Sequence, residues 1–180
     1  MLEIRWHGRG GQGAFTAAKV LGASASLYEN KFALAFPSFG PERRGAPIQA
    51  FTKIDDKKII DRSEIKQCDY IIFLDETLFN PEVQADLKPG GKIVVNSAHP
   101  EYYRPYGEVI RTVDADGLAR RILKRPITNT AMLGALVGVS GIISLGSVLS
   151  GTGSYFSGGL LEKNREVIQQ ACLAAKEAVQ

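Results

Sequence analysis

Four glycines, Gly8, Gly10, Gly11 and Gly13, crowd the stretch HGRGGQG, which also holds His7, Arg9 and Gln12. Glycine reaches positive φ without strain and leaves backbone N–H groups open to a ligand that a Cβ would keep away. Beyond the stretch, Ala14, Ala17, Ala18, Leu21 and Ala25 recur at helical spacing, so the turn opens onto a helix N-terminus. The unpaired N–H groups and positive dipole end there favour an anion. The expected chemistry is therefore a phosphate or pyrophosphate seat, and the alternative is a turn whose glycines serve packing alone. A second group with the same chemistry is SFGPERRGAP, where Arg43 and Arg44 sit between prolines and glycines on a shaped loop. Paired guanidinium groups grip phosphate or carboxylate, or form ion pairs with a neighbour's acids.

Other chemistry is sparse. A nicotinamide dinucleotide site needs an acid at the end of the second strand, about 20 residues past the glycines. Here FPSFGPERRG follows that strand, with basic residues where the acid is expected. His7 has two readings, contact with a bound phosphate or a hydrogen bond to the loop backbone. His99 stands apart from it. Cys68 and Cys172 are distant and lack CxxC spacing, so they offer no disulfide framework and no zinc or iron–sulfur ligand set. No HExxH, no GxSxG elbow and no carboxylate pair of recognisable spacing occurs, so no catalytic residue and no metal ligand is assigned.

The elements that must position these groups follow from periodicity. Leu2, Ile4 and Trp6 alternate with Glu3, Arg5 and His7, the pattern of a strand with two unlike faces. Strands are expected over 31–36, 48–54, 92–96 and 108–113, and over 69–74, where DYIIFL reads as a central strand covered on both faces. Residues 57–61 are a candidate hairpin partner for 48–54. Helices are expected from Pro81 to Leu87, closed by Pro89, Gly90 and Gly91, from Asp114 to Leu123 with Asp114 as cap, and from Gly159 to Val179. Asp75, at a strand's C-terminal end, is either a helix cap or a functional carboxylate. Between Pro126 and Leu161 no charge occurs; the stretch, with its Gly134 and Gly138 pair, is long enough for a membrane span but reads better as a buried helix that another helix or subunit approaches closely, implying a protein partner. Alternation of strands and helices predicts one α/β domain over 1–180, three-layered, with a mostly parallel, Rossmann-like sheet and a glycine-rich first turn.

Composition bounds the function. A hydrophobic fraction of 44%, a charged fraction of 23% and a net charge of +3 over 180 residues describe an ordinary globular chain and give no argument for nucleic acid. The start MLEIRWHG has no basic segment followed by an apolar one, and a cytoplasmic, reducing setting without membrane attachment is expected.

Taken together, HGRGGQG at 7–13, AFPSFGPERRGAP at 35–47, NTAMLGAL at 129–136 and LEKN at 161–164 resemble the gamma subunit of 2-oxoacid:ferredoxin oxidoreductases, nearest the pyruvate and 2-ketoisovalerate branch, with pyruvate preferred. The resemblance runs in order through nearly the whole chain. It implies an oxidoreductase subunit inactive alone, partnered by alpha, beta and delta-type subunits that carry thiamine diphosphate, Mg and [4Fe-4S] clusters, with ferredoxin as acceptor. It also implies a share in binding coenzyme A and in closing the complex, through Gly8, Gly10, Gly11, Gln12, Gly13, Arg43 and Arg44. Trp6, Ala14 and Phe15 depart from the usual pattern near the turn. Two other functions compete: a scaffold subunit that binds no ligand, and a freestanding NAD-dependent reductase.

Overall fold

A computed structural model of the chain describes residues 1–38 and 44–177. Six strands form one sheet in the order β2-β3-β1-β4-β5-β6: β1 (Leu2–Arg9), β2 (Phe32–Pro37), β3 (Pro47–Asp55), β4 (Cys68–Phe73), β5 (Leu87–Asn96) and β6 (Ile110–Val113). β1, β4, β5 and β6 pair in parallel, while β3 runs antiparallel to both β1 and β2. Five strands thus share one direction, as the α/β pattern requires.

One face of the sheet is covered by helices α1 (Ala14–Tyr28), α2 (Ala115–Ile122), α3 (Asn129–Ser140), α4 (Leu145–Thr152) and α5 (Gly158–Glu177). The inward side chains of that face, Ile4, Trp6, Ala50, Ile72 and Val94, join the helical core. The opposite face packs Phe51, Ile71, Phe73, Ile93 and Val95 under 3-10 turns and connections carrying Leu78, Phe79, Val83 and Tyr103. The third layer is therefore built of short turns instead of α-helices.

Trp6 explains how an alanine-rich helix fills its place. The indole is fully buried, its Nε1 donates to Thr52 Oγ1 at 3.1 Å, and Thr52 in turn donates to Ala18 O at 3.2 Å. Small side chains at Ala14, Ala17 and Ala18 bring α1 close to the sheet, and the large Trp6 occupies the volume beneath. It points into the core and leaves the turn free.

Three expectations are corrected. Residues 57–61 form no strand; β2 and β1 already flank β3, and Asp61 instead places Oδ2 2.6 Å from Lys53 Nζ. The segment Pro81–Asp86 is 3-10 helix, and β5 already begins at Leu87 and runs through Pro89, Gly90 and Gly91. A register shift against Cys68 and Tyr70 accommodates them, at a place where a Cβ on Gly91 would press on Asp69 O and Cys68 O. The uncharged stretch after Pro126 is α3, a turn and α4. Its close neighbour is α5 of the same chain: a Cβ on Gly134 would overlap Ile168 O, and one on Gly138 would overlap Cys172 O. Among the described residues no helix is long and apolar enough to cross a membrane.

Candidate functional site

The glycine turn stands at the C-terminal edge of the sheet where β1 and β4 lie side by side. The chain leaves β1 over the helical face through α1 and leaves β4 over the opposite face through the turn Glu76–Leu78. Diverging connections open a crevice at the strand ends, the usual ligand position in open α/β sheets.

The four glycines divide the work. Gly8 lies within β1, buried beside Ala14, Gln12 and Leu74. Gly10 bridges to Arg44, donating its N–H to Ala46 O at 2.9 Å while Gly10 O accepts from Gly45 N at 3.0 Å. The base of the arginine loop is thereby joined to the turn through the backbone. Gly11 (φ 97°) and Gly13 (φ 84°) take left-handed conformations, and Gly13 is the N-cap of α1 without any side-chain cap. Arg44 is exposed; Arg43 lies outside the described residues.

Gln12, expected from the sequence, holds this turn together with Asp75 and with Arg9 and Thr77, to which the sequence reading gave no role. Gln12 accepts from Arg9 N at 2.7 Å through Oε1 and donates to Asp75 Oδ2 at 3.1 Å through Nε2. Arg9 reaches Asp75 Oδ2 at 2.9 Å, Thr77 Oγ1 at 2.8 Å and Gly45 O at 3.2 Å. Asp75 also caps the turn Glu76–Leu78 by accepting from Thr77 N at 3.0 Å, which agrees with the cap reading. Burial alone would raise its carboxyl, but the hydrogen bonds from Thr77, Gln12 and Arg9 outweigh it and hold the group below its ordinary value.

On the helical side the turn borders a cavity of about 550 Å³. Gly11, Gln12, Gly13 and Thr16 form one wall, Arg125 and Lys163 bring positive charge, and Ile127, Phe156 and Leu160 are apolar. The two cations flank the uncharged stretch in sequence, and the fold returns that stretch on itself so that both meet the glycine turn. Asn129 stands beneath, its Nδ2 3.5 Å from Gly13 O. Thr130 Oγ1 donates to Asn164 Oδ1 at 2.7 Å, locking the start of α3 to α5. The cavity thus joins an uncapped helix N-terminus, two cations and an apolar wall, which suits a phosphorylated ligand with a flat or apolar portion. Gly8, Gly10 and Arg44 do not line it.

His7 faces the other side of the sheet. Its ring stacks on Phe73 with centroids 4.5 Å apart, and Nε2 accepts from Arg5 Nε at 3.0 Å, so it meets neither the phosphate seat nor the loop backbone. Burial first, and the Arg5 charge second, pull its pKa down to about 3. Among the described residues no group of three or more His, Cys, Asp or Glu side chains is placed to hold a metal ion.

Comparison with known proteins places the sequence and the fold among relatives. The family model for pyruvate ferredoxin/flavodoxin oxidoreductase matches residues 3–174. The chain is 49% identical over 175 residues to pyruvate synthase subunit PorC of Methanocaldococcus jannaschii, covering 95% of each. It is 46% identical over 177 residues to the pyruvate/ketoisovalerate oxidoreductases common subunit gamma of Thermococcus kodakarensis, again with 95% of each covered. The crystal structure of pyruvate oxidoreductase subunit PORC from Thermotoga maritima superposes with a TM-score of 0.83 at 35% identity over 96% of both chains.

Proposed function

The chain belongs to the pyruvate ferredoxin/flavodoxin oxidoreductase family, and on that premise we propose that it holds the phosphate end of coenzyme A and closes over the partner subunits that carry the redox chemistry. It is the gamma-type subunit of a pyruvate or 2-oxoacid ferredoxin oxidoreductase, an enzyme acting on the oxo group of its donor. In this reading pyruvate is the 2-oxoacid, alpha, beta and delta-type subunits are the partners, and ferredoxin takes the electrons in the cytoplasm. Thiamine diphosphate, Mg and the [4Fe-4S] clusters belong to those partners, and no step of their chemistry is routed through this chain.

The observation that carries the proposal is the cavity at the N-terminus of α1. Coenzyme A has a pyrophosphate, a 3′-phosphate and a flat base; the cavity has the N-terminus of α1, which no side chain caps, beside Gly11 and Gly13, cations at Arg125 and Lys163, and an apolar wall at Ile127 and Leu160, while the Gln12 N–H is spent on Arg9 O. The residues of this chain bind and orient, and none transfers a proton. Gly10 and Gly45 join Arg44 to the same turn, which suits Arg44 to a second phosphate contact or to the joint with a neighbouring subunit; the same role is proposed for Arg43 from the sequence alone.

Kinetics of the assembled complex test the assignment. Replacing Lys163 by Gln is expected to raise KM for coenzyme A roughly tenfold, the scale of one lost charge-assisted contact of about 1.4 kcal/mol. Decarboxylation followed without coenzyme A should keep its rate. Unchanged KM in both Lys163→Gln and Arg125→Gln complexes would remove the ligand role. The scaffold reading keeps less of the uncharged stretch to bury against partners, because α3 packs on α5 and Gly151 of α4 packs on Ser24 of α1, while Ile127, Tyr155 and Leu160 stay exposed.

A further inference from the structure

On the face of the sheet opposite α1, a cleft opens between β1, β3 and the turns after β4. Its two lobes, of about 430 and 590 Å³, share His7, Gln49, Leu78 and Asn80. The floor is the aromatic side chain of Phe73, on which the imidazole stacks.

His7 is held there in one tautomer. Arg5 is only 7% exposed, is paired to Asp86, and donates its Nε–H to His7 Nε2 at 3.0 Å. A guanidinium only donates and has no lone pair with which to accept, so Nε2 must carry the lone pair and Nδ1 the hydrogen. Among the described residues Nδ1 has no hydrogen-bond acceptor, and the amide of Gln49 has no side-chain bond. Burying the Arg5 guanidinium carries a desolvation cost that its pairing with Asp86 must offset. What that arrangement secures is a fixed neutral imidazole donor, the device by which a protein polarises or recognises a carbonyl without adding charge.

We propose that the His7 cleft is a binding subsite for a secondary amide, with His7 Nδ1–H donating to the amide carbonyl and Gln49 Oε1 accepting the amide N–H. Resting on the coenzyme A reading above, the occupant is the amide-bearing pantetheine arm of the coenzyme. The cleft and the glycine turn lie at the same C-terminal edge of the sheet, three residues apart on β1, a distance of about 10 Å along the strand. An extended ligand anchored by phosphate at the turn and crossing that edge brings its neutral arm to His7. A main-chain amide of a neighbouring subunit has the same chemistry and is the competing source.

The test uses the assembled complex and two fragments as competitors of coenzyme A. Pantetheine carries the amides alone, and adenosine 3′,5′-bisphosphate carries phosphates without the amide arm. His7→Phe and Gln49→Leu are each expected to weaken pantetheine competition roughly tenfold, one good hydrogen bond's worth, while leaving the bisphosphate inhibition constant unchanged. Wild-type complex that ignores pantetheine, or variants that bind it as well as wild type, overturn the subsite and leave the phosphate seat standing. Failure of the bisphosphate to compete overturns the phosphate seat instead. Imidazole ¹⁵N signals give a second readout: a shift of the His7 signals on pantetheine addition supports the assignment. A shift on assembly alone, unaffected by pantetheine, overturns it in favour of a partner's amide.

Discussion

At the scale of single residues, the site is a set of backbone conformations locked by polar side chains. Gly13 combines a left-handed φ with a neighbour that forbids a side chain, since a Cβ there would stand 2.5 Å from Asn129 Nδ2. Gly13→Ala must therefore strain the backbone and displace Asn129 from the start of α3. Denaturant unfolding should show a loss of about 1–3 kcal/mol. A variant as stable as the parent would mean that the turn is free to relax. His7, Arg9, Gln12 and Asp75 show the other side of the same economy, because each side chain is engaged within the chain and presents the remaining groups in a fixed direction.

At the scale of elements, the pairing of α3 with α5 shapes the cavity. Gly134 and Gly138 let the two backbones approach, and the Thr130 to Asn164 hydrogen bond fixes their register. That register decides where Lys163 stands relative to Gly13. Gly134→Val is expected to push the helices apart, cost about 3 kcal/mol or more by overpacking a buried contact, and open the cavity. Thermal unfolding of the variant checks the first effect, and KM for coenzyme A in the assembled complex the second. Loss of stability with KM intact would detach the helix pair from the site.

Across the whole molecule, pH exposes what burial has done to His7. Its folded pKa of about 3 lies below the ordinary 6.5, so between those values the unfolded chain binds a proton that the folded chain refuses. Stability is then fully present above the ordinary value and falls as pH drops through that window, by up to about 1.4 kcal/mol per pH unit. Asp75, held below the ordinary 3.8, adds a further loss under still more acid conditions, where its carboxyl is protonated. Unfolding free energies measured from pH 7 to pH 4 should slope in the parent and be flatter in His7→Gln. Equal slopes in both proteins would remove His7 as the cause.

The sequence by itself determined the period of each main strand, the glycine turn onto α1, the α/β class and, through its motifs, the family. These are local signals: alternation, helical spacing, and residue types that only certain backbone conformations accept. Cysteine spacing and the absence of an acid after β2 also spoke against cluster and nicotinamide chemistry within HGRGGQG and its surroundings. Tertiary structure alone decided which faces meet. Arg125 and Lys163 are far from Gly13 in sequence and carry no spacing that ties them to it; only the return of α3 and α5 onto the turn brings them together. The uncharged stretch left open whether another helix or a subunit approaches it, because apolarity says that a surface is covered and cannot say by what; the structure sets its α3 against α5 and its α4 against α1 of the same chain. His7 sits in the phosphate motif yet turns from it, since alternation along β1 sends it to the opposite face of the sheet.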